Sequence, residues 1–140
     1  MVEAGPLSPA EALVFAMVLV SAADRNMTDR ELTTIGRIVT QAPAFQGFDT
    51  AGLGAIANRC VAVLDEEDGL DKALALIADS LPKRLRETAY AFAVEVAAAD
   101  GSAAQEELRV LELIRHRLEV DRLAAAAIER GARARHARLA

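Results

Sequence analysis

Tryptophan is absent from this chain of 140 residues, and all aromatic residues together make up only 4% of it. A core of interleaved rings is therefore excluded. The core has to come from Ala, Leu, Val and Ile, and apolar residues are 53% of the sequence, which also excludes a disordered chain. Small aliphatic side chains favour closely packed helices. Basic residues are in deficit: 16 Lys and Arg stand against 21 Asp and Glu, a net charge of −5. Phosphate binding needs a positive field, so a nucleic-acid-binding protein is not expected. A single cysteine, Cys60, rules out an internal disulfide and fits a reducing compartment. It lies on an apolar face, the setting of an inert core thiol.

Long apolar runs are missing too. The longest, Ala12 to Val20, is well short of the ~20 residues that span a bilayer. The residues before it contain Glu3 and Glu11 but no Lys or Arg, so the basic flank of a secretory leader is lacking and a cytoplasmic protein is expected. Neither His116 nor His136 has a second His or Cys at zinc-ligand spacing. Ser21, Ser80 and Ser102 have no nearby histidine and no nucleophile-elbow pattern, and the glycines form no phosphate loop.

What the chain does have is a repeated design. From Tyr90 to Leu108 an apolar helix ends at Ala98-Ala99-Asp100-Gly101, and a charged amphipathic helix follows. The same plan occurs 76 residues earlier. Val18/Val94, Val20/Val96, Ala22/Ala98, Ala23/Ala99, Asp24/Asp100, Glu31/Glu107, Leu32/Leu108 and Ile38/Ile114 are identical pairs.

Helix signals punctuate the rest. Ser8-Pro9-Ala10-Glu11 and Thr28-Asp29-Arg30-Glu31 are capping boxes, and Ser102-Ala103-Ala104-Gln105 reads as a third. The first helix, to about Asp24, is apolar on every side, the mark of a buried helix. The second carries Leu32, Ile35 and Val39 at helical spacing. Phe45 and Phe48 fall in a loop tucked on the bundle. A third helix, capped at Asp49 or Thr50, turns Leu53, Ile56, Ala57, Cys60, Val61 and Leu64 inward. A fourth runs from about Leu70 to Ser80, and Pro82 opens a fifth, the second central helix. The sixth begins near Ala103, and Asp121 caps the seventh. The expectation is an all-α fold: a single-domain bundle of about seven helices over residues 1–140. It has a short tail at 1–7 and an internal repeat of helical hairpins over about 9–42 and 85–118.

The acidic pairs Asp24/Glu31 and Asp100/Glu107 are the candidate site. In each, Asp ends one helix and Glu lies in the first turn of the next, so both carboxylates approach one hairpin tip. Asn26, Thr28 and Asp29 surround the first pair, and Ser102, Gln105 and Glu106 the second. Hard cations take such oxygen ligands. An EF-hand is excluded, because its bidentate glutamate would fall at Ile35. The same residues also admit a purely structural role, as helix caps and charges near helix N-termini. Glu107 lies outside the third capping box as read here, yet still stands at the same distance from its aspartate. Glu95, alone in an apolar helix, is either a buried carboxylate near Asp100 or part of a thin polar seam. The basic segment Arg130 to Arg138 is either a charge-complemented helix end or a docking arm.

Val96-Ala97-Ala98-Ala99-Asp100-Gly101 with Glu106-Glu107-Leu108, and Val20-Ser21-Ala22-Ala23-Asp24 with Glu31-Leu32, resemble the tellurite-resistance TerB-like family. The likeness covers about Pro9 to Leu123. It implies an all-helical fold and a cluster of metal-binding acids at Asp24, Glu31, Asp100 and Glu107. It further implies a non-enzymatic protein of a stress or metal-resistance response, binding a divalent ion such as Ca²⁺, Mg²⁺ or Zn²⁺. Arg25 departs from the family's Gly, which makes the second hairpin the better formed of the two. Such domains also occur attached to J-domain co-chaperones, so the alternative is a protein-interaction module whose acids are only caps. Whether the two tips meet depends on how the central helices run relative to each other, which spacing leaves open.

Overall fold

The computed structural model describes residues 6–99, 101 and 103–139. Among them every regular element is helical: α1 (Pro9–Ser21), α2 (Asp29–Gln41), α3 (Leu53–Leu64), α4 (Gly69–Ser80), α5 (Arg86–Ala98), α6 (Gln105–Arg117) and α7 (Arg122–Arg135). Short 3₁₀ turns sit at Pro43–Phe45, Thr50–Gly52 and Lys83–Leu85. The bounds of α6 fall 76 residues after those of α2 at both ends.

α1 is the centre. Its residues from Ala12 to Ser21 are all buried, because α5, α3, α4, α2 and α6 pack around it. A helix surrounded on all sides needs no polar face. α5 is its main neighbour and is covered in turn by α7, α6 and α2. Ala12 and Ala16 on α1, and Ala89 and Ala93 on α5, are fully buried. Their small side chains let helix axes approach closely, as the lack of aromatics implied. Phe45 is the exception: it is buried, stacks on Phe92 at 5.9 Å and meets Phe48 edge-on at 5.5 Å, so the loop is indeed tucked down.

The caps explain where the helices begin. Ser8 Oγ accepts from the Glu11 N–H at 3.1 Å while Glu11 Oε1 accepts from the Ser8 N–H at 2.8 Å. Asp49 accepts from the Ala51 N–H, and Asp121 from the N–H groups of Leu123 and Ala124. Gly69 follows Asp68, which is left-handed at φ 55°. A Cβ on Gly69 would lie 2.4 Å from the carbonyl oxygens of Val63 and Leu64 at the end of α3, so only glycine fits this turn.

Several sequence expectations need correction. α1 ends at Ser21, short of Asp24. Leu7 belongs to the core rather than to a tail: it is buried and its N–H donates to Ser80 Oγ at 3.2 Å. Pro82 precedes a 3₁₀ turn, and α5 proper starts at Arg86. On α3, Val63 is buried and Val61 exposed, the reverse of the assumed inner face at that turn.

Candidate functional site

Glu31 and Glu107 are the only buried carboxylates among the described residues, at 1% and 4% exposure. Each is the third residue of its helix. Capping explains half of their position. Glu31 Oε1 accepts from the Thr28 N–H at 3.1 Å, and Thr28 Oγ1 accepts from the Glu31 N–H at 3.2 Å. Glu107 Oε1 accepts from the Ala104 N–H at 3.1 Å. The N-cap of α6 is therefore Ala104, and Gln105 is the first helical residue. The sequence placed this box two residues too early. Ser102, the cap expected there, and Asp100, the fourth expected site residue, lie outside the described residues. Glu107 takes the reciprocal half of the box alone, since Ala104 has no side-chain acceptor.

Capping does not explain the burial. A capping glutamate can stay in water, whereas these two are drawn inward and towards each other. Burial first, then the adjacent Glu31 carboxylate, push Glu107 up to about 8, and the charge of Asp24 adds to the rise; the Ala104 N–H acts in the opposite sense. The two hairpin tips therefore meet at one end of the bundle, and Asp24 faces the same place. Glu31 and Glu107 thus share one place, and the charge of Asp24 reaches it.

The pair is asymmetric. Glu31 Oε1 has a second donor, Ser21 Oγ at 3.1 Å, supplied by the buried last residue of α1. The residue 76 positions later is Ala97, which can donate nothing. Glu107 Oε2 is accordingly buried with no hydrogen-bond partner. An ionised oxygen in that position has lost its water and gained no donor. A proton on Glu107 would cure this by donating to Glu31, and so would a cation.

Arg25 takes the left-handed conformation at φ 60°, as Gly101 does at φ 86°. Arg25 carries the steric penalty that glycine avoids. Asp24 Oδ1 accepts from the Asn26 N–H at 3.0 Å, which fixes the carboxylate beside the turn.

The chain matches the family model described as tellurite resistance protein TerB over residues 10–130. The chain belongs to the TerB family. Comparison with curated proteins and with solved structures gave no match. In this TerB chain no group of three or more His, Cys, Asp or Glu among the described residues is arranged to hold a metal ion. The donor chemistry nevertheless suits one: a buried carboxylate oxygen without a donor, opposed by a second carboxylate.

The other titratable candidates are engaged elsewhere. Glu95 belongs to a polar seam between α5 and α7. Arg135 Nε donates to Glu95 Oε1 at 2.6 Å, and His136 Nε2 bonds Oε2 at 2.8 Å. Burial alone would raise Glu95, but His136 and Arg135 together hold it below the usual carboxylate value. Those contacts account for part of the basic C-terminal segment. Cys60 is fully buried, with its thiol pushed up to about 12 by desolvation. No described helix is long and apolar enough to cross a membrane.

Sequence reasoning missed Ser21 as part of the site. It looked for a nucleophile, and a serine that only donates to a carboxylate has no signature of its own. The signal that could have found it is the repeat, in which Ser21 is opposed by Ala97.

Proposed function

We propose that this TerB protein binds a divalent cation at the joined hairpin tips, through Glu31, Glu107 and Asp24, with Asp100 as a further ligand. One observation carries the reading: Glu107 Oε2 is buried, without a donor, against a second buried carboxylate. Two adjacent buried carboxylates repel unless a proton or a cation lies between them. The site offers carboxylate oxygens and no His or Cys, which favours hard ions such as Ca²⁺ or Mg²⁺ over Zn²⁺. The role we assign is binding without turnover, in a cytoplasmic stress or metal-resistance response. No nucleophile or histidine is assigned to the site.

Calorimetric titration of chelator-treated protein with CaCl₂, MgCl₂ and ZnCl₂ tests this. The expected result is saturable binding of Ca²⁺ or Mg²⁺ that is lost in Glu31→Gln with Glu107→Gln. Absence of binding below millimolar cation, or binding untouched by that double variant, would overturn it.

A second reading, a protein-interaction module, draws on Leu32 and Leu108. Each directly follows a buried glutamate and is about half exposed, at 48% and 53%. It requires Leu32→Asp and Leu108→Asp to abolish partner binding while the glutamate variants leave it intact.

A further inference from the structure

α6 and α7 both rest on α5 and pack on it more than on each other. Tyr90 meets Glu129, and Glu95 meets Arg135 and His136, so α5 and α7 advance in the same direction. The hairpin sends α6 back the other way. The three helices enclose an open cleft of about 640 Å³, within the range of small-molecule sites. Its floor is small and apolar: Val94, Ala97, Ala98, Leu111 and Ala132. Along α5 it reaches from Tyr90 to Ala98, about 12 Å at the helical rise per residue.

The charged side chains on its walls are not equally committed. Glu129 Oε2 accepts from the Tyr90 hydroxyl at 2.5 Å, and Glu112 is exposed on the α6 wall. Arg133, on the α7 wall, makes no hydrogen bond or ion pair among the described residues. Arg115, half buried on the α6 wall, donates among the described residues only to the ring nitrogen of its neighbour His116. Arg115 also lies close enough to Tyr90 for its charge to act on the phenol. The cleft thus pairs an apolar trough with two guanidinium groups that make no ion pair among the described residues.

We propose that the α5–α6–α7 cleft binds a small amphipathic carboxylate, its anion held by Arg115 and Arg133 and its apolar body lying along the alanine floor. Guanidinium groups recognise carboxylates through paired, charge-assisted hydrogen bonds. Neither Glu31 nor Glu107 lines the cleft, so the proposal stands without the metal reading.

Tyr90 lines the cleft and is the only tyrosine of a chain without tryptophan, so its fluorescence reports on this cleft alone. Full-length protein in EDTA is titrated with sodium decanoate, 1-decanol and decylamine, each below its aggregation limit. Decanoate is expected to change the Tyr90 signal saturably, and to bind about tenfold or more tighter than decanol, as one charge-assisted hydrogen bond implies. Arg115→Gln with Arg133→Gln is expected to bring decanoate down to the level of decanol at unchanged helicity. Arg133→Gln alone, at an exposed position, gives a partial loss with no risk to folding. Equal binding of decanoate and decanol, tighter binding of decylamine, no saturable signal, or decanoate binding unaffected by Arg133→Gln would each overturn the proposal.

Discussion

Glu107 leans against Glu31 across 76 residues of chain, and only Glu31 has a serine to satisfy it. The imbalance concentrates the cost of the site on one oxygen, Glu107 Oε2. Five further properties can be measured, beginning with the stability of the metal-free protein.

A carboxyl held at about 8 in the folded state binds a proton that the unfolded chain, with its ordinary value near 4.5, has already released. Between those values the native state holds more protons, so stability falls as pH rises. Chelated protein is expected to melt at successively lower temperature from pH 5 to pH 9. Glu107→Gln keeps a donor to Glu31 and should flatten most of that slope. A slope unchanged in the variant would mean that another group carries it.

Ala97→Ser supplies the second half with the hydroxyl that Ser21 gives the first. The new donor should bring Glu107 back towards the ordinary carboxylate range. Carbon-13 NMR titration of the Glu107 carboxyl would show the shift. The reciprocal change, Ser21→Ala, removes a buried donor to a carboxylate and should cost about 1.5–3 kcal/mol in urea denaturation.

Glu95 ties the end of α7 to α5 through Arg135 and His136. Its value is lowered, so its contribution is present above the unfolded carboxylate range and fades as pH falls through the folded value. Arg135 is largely solvated, so Glu95→Gln should cost only about 1 kcal/mol. Hydrogen exchange should quicken over residues 132–139 and leave α1 protected.

Cys60, fully buried and held at about 12, should resist thiol reagents at pH 8 in the folded protein. Labelling should proceed at the rate of unfolding and become complete in denaturant. Fast labelling without denaturant would contradict the buried position.

Gly69→Ala should be among the more damaging single-methyl changes in the chain. Its Cβ would collide with backbone oxygens that cannot swing aside. A loss of about 1–3 kcal/mol is expected by thermal melting.

Helix types, their number and the starts of α1 and α2 follow from local rules, and those rules are visible in sequence. Ser8 with Glu11 and Thr28 with Glu31 cap as their spacing says. The apolar stretch from Ala12 to Val20 had to be central, since no helix exposes such a surface to water. The acids Asp24, Glu31 and Glu107 are legible for the same reason, because hairpin tips recur at a fixed offset. The α6 start was misplaced because an alanine can stand at an N-cap when the third helical residue returns a side-chain bond by itself.

What the sequence could not decide is whether the two tips meet. That depends on the relative direction of α1 and α5, a matter of how two nearly featureless apolar helices pack, and no residue on either one encodes it locally. Packing at one end turns two ordinary caps into a buried carboxylate pair. It also gives Ser21 a role and leaves Ala97 without one. Sequence alone determined the helices and their caps, because hydrogen bonds three residues apart are fixed by the chain itself. The burial of Glu31 against Glu107, and the cleft between α6 and α7, exist only in the tertiary structure, because long-range packing is what removes water from a charge.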